Sequence, residues 1–132
     1  MLKKLVRVSA KYTFRQLRNR APLYCKCLNC DVLITRKFFR HIDNGEKRTN
    51  KEIIDRLLII PLIEDILLNG KVVEERIKLG KQYFRINFKV ANFIFSVILI
   101  QEDIKYILLS CFIYKEKFHL HPNKKRLVSS SS

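Results

Sequence analysis

Apolar positions change their period near residue 70, and that change divides the chain into a helical front and a stranded back. Leu2, Leu5, Val6, Tyr12 and Leu17 recur at near-helical intervals among cations, which predicts a basic amphipathic helix over 2–19. Ala21-Pro22 ends it, because the residue before a proline is pushed out of helical geometry. Asp31–Thr35 reads as a short strand or a lead-in, with Thr35 capping a helix over Lys37–Ile42. After a polar loop over Asp43–Asn50, Thr49 or Asn50 caps a helix from Lys51. Glu52 sits at the capping-box distance from Thr49, and Ile53, Ile54, Leu57 and Leu58 form the apolar face. Pro61 restarts the chain for a helix over Leu62–Leu68, which Asn69-Gly70 closes as a C-cap pair.

From Lys71 the pattern alternates. Val73, Glu75, Ile77 and Leu79 share one side of a strand, and Val72, Glu74, Arg76 and Lys78 the other. Tyr83, Arg85 and Asn87 oppose Phe84, Ile86 and Phe88 in the next strand. Phe93–Ile100 is apolar on both faces and so central, and Ile104–Tyr114 closes the series. The short connections predict antiparallel neighbours. The expectation is an α+β domain: N-terminal helices packed on a four-stranded antiparallel β-sheet. Three segments follow: a basic N-terminal helix over 1–22, an α+β domain over 23–118, and a basic tail over 119–132 ending in four serines.

Charge narrows the class. The chain has 132 residues and a formal charge of +15, of which residues 1–50 carry +10 from thirteen Lys/Arg against three acids. Such an excess favours polyanion partners, nucleic acid first among them. The 48% hydrophobic content argues against wholesale disorder. Val90–Ile100, the longest apolar run, is too short for a transmembrane helix, and no secretory h-region is visible, so the expectation is a soluble cytoplasmic protein. The acid-free, Arg-rich start also resembles an organelle transit peptide in composition. Oligomeric state is not legible here.

Two constellations carry chemistry. The first is a lone hydroxyl, Ser110, in the apolar run Ile107-Leu108-Leu109-Ser110-Cys111-Phe112-Ile113-Tyr114, together with His41, which has no other histidine near it in sequence. The second is Cys25-Lys26-Cys27-Leu28-Asn29-Cys30, three soft ligands to which His41 could add a fourth for structural zinc. That reading makes the protein a non-catalytic RNA- or DNA-binding module with a zinc knuckle. The cysteine spacing lacks the paired C-x₂-C repeats of strong zinc motifs, and core thiols are common.

Thr35–Ile42, ending His-Ile, is followed by Ile60-Pro61-Leu62-Ile63-Glu64-Asp65-Ile66-Leu67 and then by strands, the last of type Ile-Leu-Leu-Ser-x-x-x-Tyr. Over roughly residues 31–116 this order resembles the phage-associated branch of the barnase/EndoU/colicin D/RelE-like (BECR) ribonuclease superfamily. The resemblance implies a barnase/RelE-like fold and a metal-independent endoribonuclease, a toxin or phage-derived effector that acts as a hydrolase-class nuclease on tRNA or mRNA. It implies no cofactor, action in the cytoplasm, including that of a target cell after delivery, and an antitoxin or immunity protein as inhibitor. Carried over, His41 is the helix histidine, Ser110 the late hydroxyl, Tyr114 its strand neighbour and Arg85 the sheet cation, with Arg48 and Lys105 as alternatives. Arg36, Lys37, Arg40, Arg48 and Lys105 would hold the nucleic acid. Ser stands where the family more often has Thr, and no second histidine follows His41 closely. A third reading is a basic interaction factor whose front helix docks an acidic partner.

Overall fold

Residues 2–43 and 48–116 are described by a computed structural model. Positions 44–47 of the expected polar loop, and the 119–132 tail with His119 and His121, lie outside the described residues. Helix α1 spans Leu2–Arg20, followed by β1 (Leu23–Cys25), β2 (Cys30–Leu33), α2 (Arg36–Asp43) and α3 (Asn50–Ile59). A 3-10 turn over Ile60–Leu62 leads into α4 (Ile63–Asn69), and strands β3 (Lys71–Lys78), β4 (Lys81–Val90), β5 (Phe93–Glu102) and β6 (Lys105–Lys115) complete the order.

The fold is α+β, but its sheet has six strands in the order β1-β2-β6-β5-β4-β3, not four. The antiparallel meander β3–β6 forms as expected, with apolar β5 inside it. The two added strands are β1, from the cysteine segment, and β2, which takes the strand option of the Asp31–Thr35 reading: they form a hairpin, and β2 runs parallel to β6 through Val32↔Tyr106 and Leu33↔Ile107. A segment of three residues is too short to show a period, so β1 could not be separated from a loop, and the four of β2 could not fix its partner.

Local chemistry accounts for several boundaries. Thr49 caps α3: its side chain accepts from the Glu52 N–H, and the Glu52 carboxylate accepts from the Thr49 N–H, completing the box. Gly70 is the C-cap of α4, as expected: its N–H donates to the Ile66 carbonyl at 2.7 Å, with its backbone extended (φ −77°, ψ 174°). Its role is close approach. A Cβ there would lie 2.5 Å from the Ile66 carbonyl oxygen and 2.7 Å from Ile86 Cγ2.

One core lies between the helices and a single face of the sheet. Phe14 and Leu17 of α1, Phe38 and Ile42 of α2, Ile53 and Leu57 of α3, and Ile66 and Leu67 of α4 meet Phe84, Ile86, Val97, Leu99, Leu108 and Cys111. Two β-bulges decide what faces the other way. In β6, Leu108 pairs with Leu99 and Ser110 with Ile98, which leaves Leu109 as the extra residue. Simple alternation would give Leu108 and Ser110 one face. The bulge instead buries Leu108 and Cys111 in the core and turns Ser110, Phe112 and Tyr114 to the opposite face. In β3 the register shifts between Val72 and Glu74, so Val72 packs on the core while Glu74 comes opposite Arg85. Val73 and Ile77 are exposed.

Candidate functional site

Strand β6 is covered by β2 only at Tyr106 and Ile107, and helices α2 and α3 come up to the edge beyond. There the side chains of α3 do not all behave as its pattern suggests. Leu58 is 55% exposed. Arg56, beside Ile53 and Leu57, is half-buried and reaches over the β6 edge. Its Nη1 donates to Ser110 Oγ at 3.1 Å and to the Cys111 carbonyl at 2.9 Å. In return, Cys111 Sγ donates to the Arg56 carbonyl at 3.6 Å. Burial pushes the Cys111 thiol up to about 12, so it stays protonated and suits that donor role.

His41 lies in the last turn of α2. The Arg48 guanidinium donates to the His41 carbonyl at 2.7 Å and approaches Nε2 at 3.4 Å. Guanidinium has no acceptor, so Arg48 can donate to Nε2 only in the tautomer that leaves this nitrogen unprotonated. Partial burial, then Arg48, then Arg56 lower the His41 pKa below its ordinary value. Burial also lowers that of Arg56, with Arg48 adding to it. His41, Arg48 and Arg56 thus form a cationic group around one imidazole that favours the neutral form.

Arg85 and Tyr114 belong to a neighbouring network on the outer sheet face. Arg85 Nη2 donates to Tyr114 Oη at 2.7 Å, and Asn87 Nδ2 donates to the same oxygen at 3.1 Å. Ser96 Oγ, fully buried, donates to Asn87 Oδ1 at 2.6 Å. Glu74 Oε1 stands 3.8 Å from Arg85 Nη1. The Phe112 ring joins the two networks, with Arg56 Cζ at 5.8 Å and Arg85 Cζ at 5.5 Å from its centroid.

Of the residues expected to act together, His41 and Arg48 are in contact, and Ser110 joins them through Arg56. Arg85 and Tyr114 lie one aromatic ring away. Lys105 is an exposed residue at the start of β6. Arg56 was missed because it reads as one more solvent-facing cation. Its position three residues after Ile53 and one before Leu57, on the border of the apolar stripe, was the available signal.

Cavities extend the site in both directions. One of about 740 Å³ is lined by Thr35, Lys37, Arg40, His41 and Leu109. Leu109 also lines a second, of about 450 Å³, with Arg76, Arg85 and Phe112. Arg40 is shared with a third, of about 660 Å³, between α1 and α2, where Lys11, Arg15, Arg18, Arg36 and Arg40 surround Phe14 and Phe39. The result is a run of cations from α1, past His41, to the sheet face.

The cysteine segment is a separate feature. Cys25 is buried at the start of the β1–β2 turn, and its Sγ lies 3.7 Å from that of exposed Cys27. Burial pushes the Cys25 thiol up to about 12 and also raises Cys30. Among the described residues no three His, Cys, Asp or Glu side chains are grouped as metal ligands. No helix among the described residues is long and apolar enough to cross a membrane. No family model, curated protein or solved structure matches the chain.

Proposed function

We propose that this chain is a small basic endoribonuclease that cleaves RNA by attack of a ribose 2′-OH on the adjacent phosphate. The observation that carries the reading is the convergence of His41, Arg48 and Arg56 at the β6 edge, with Arg56 bonded to Ser110. A phosphate arriving between the guanidiniums draws Arg48 from Nε2 and leaves that nitrogen free as the base. His41 then takes the 2′-OH proton, the 2′-O–P bond forms and the P–O5′ bond breaks. The leaving 5′ oxygen takes its proton from solvent in the open cleft. The products are a 2′,3′-cyclic phosphate and a 5′-hydroxyl. Arg48 and Arg56 stabilise the charge that grows on the phosphorane, and Ser110 holds Arg56 in place. No metal is required by these roles. Arg85, Phe112 and Tyr114 offer a stacking surface for a neighbouring base.

The experiment is cleavage of a labelled single-stranded RNA by wild type, His41→Ala and Arg56→Lys, with EDTA present. Wild type should yield cyclic-phosphate ends, and His41→Ala should lose roughly 10²–10⁴ in rate while keeping its affinity for RNA. Equal rates for wild type and His41→Ala would sink the assignment. A second reading is supported by the α1–α2 groove, whose five cations over two phenylalanines suit nucleic-acid binding without chemistry. RNA affinity with no cleavage by wild type would favour it. An acidic antitoxin or immunity protein would find the same cationic surface complementary.

A further inference from the structure

Helix α1 turns a second apolar stripe away from the core. Leu2, Leu5, Val8 and Tyr12 are 65%, 64%, 63% and 64% exposed. At 100° per residue Leu5, Val8 and Tyr12 fall on one line, opposite buried Ala10, Phe14 and Leu17. On one side, exposed Leu58 of α3 adjoins the stripe across a shallow groove shared with Leu5, Ser9 and Pro61. Along the other side run Lys4, Lys11 and Arg15, all exposed and none in an ion pair among the described residues. The helix contains no acidic residue.

We propose that this outward face of α1 docks on an anionic lipid surface, with Leu5, Val8 and Tyr12 entering the headgroup–acyl boundary and Lys4, Lys11 and Arg15 meeting lipid phosphates. A nucleic acid would satisfy the cations but leave the aliphatic stripe in water. A second copy of this chain would cover the stripe but bring two strongly basic fronts together. A bilayer surface offers anionic groups and apolar chains within one side-chain length of each other, in the order this helix presents them.

The chain has no tryptophan, so Tyr12→Trp supplies a single reporter on the stripe. With phosphatidylcholine vesicles containing phosphatidylglycerol, its emission should shift to the blue, and with pure phosphatidylcholine it should not. Leu5→Gln/Val8→Gln alters exposed positions, so its circular dichroism should match wild type while its partition into anionic vesicles falls about tenfold or more. Three results would overturn the proposal: equal partition of wild type and the double variant, vesicle binding without a blue shift (charge alone), or a stripe-dependent dimer that ignores vesicles.

Discussion

Arg56 ties the edge of the sheet to α3 through three kinds of contact. Its guanidinium satisfies a strand-edge carbonyl and a nearly buried hydroxyl, and lies against Phe112. Truncation by Arg56→Ala should therefore cost about 1–3 kcal/mol in urea unfolding, because Ser110 Oγ and the Cys111 carbonyl lose their donor. His41 makes a different prediction. Its folded pKa lies below the ordinary 6.5, so between those two values the unfolded chain binds more protons. Stability then rises with pH across that window, and the penalty is complete once pH falls below the folded pKa. Melting from about pH 7.5 to about pH 5 should show a larger loss for wild type than for His41→Gln. In the proposed cleavage, with His41 as the base, the same depression would keep that base neutral, so the acid limb of the rate profile should have its midpoint below 6.5.

At the scale of elements, caps, turns and bulges set where side chains point. Thr49→Ala removes the α3 cap and should lower stability by about 1 kcal/mol, read as a shift in denaturant midpoint. The β3–β4 turn carries Leu79 at φ +53° and Gly80 at φ +78°, both in the left-handed region, and Leu79 is 91% exposed. Asparagine accepts that conformation far better than leucine, so Leu79→Asn should raise the melting temperature, by about 1 kcal/mol in stability. The extra residue in β6 matters most for the candidate site. Without it, Ser110 would share a face with Leu108 in the core and could not meet Arg56 at the edge.

For the whole molecule, the charge of +15 and the shared lining of the three cavities should make the proposed RNA binding salt-sensitive. RNA affinity should fall linearly in log–log form with salt, and Arg36→Ala/Arg40→Ala should reduce that slope by about two while weakening binding across sequences. A titration at several salt concentrations measures both. Much of this organisation was legible. The α1 amphipathicity, the Thr49–Glu52 box and the four-strand meander all follow from spacings within one segment. The strand β1 was not legible because three residues show no period, and the parallel contact of β2 with β6 was not because it pairs residues some seventy positions apart. Of the candidate site, His41, Arg48 and Ser110 were named from the chain, whereas Arg56, which connects them, was not.

By itself, then, the sequence determined the class of the fold, the local caps and the basic character of the front half, because each depends on residues within a few positions of one another. Tertiary structure alone decided which face Ser110 occupies, that Arg56 rather than Arg85 is its cation, and that α1 keeps an apolar stripe in solvent. Those outcomes depend on a bulge, on the rotation of α3 about its axis and on the area of the core. Each is settled by packing between distant segments, where periodicity along the chain carries no information.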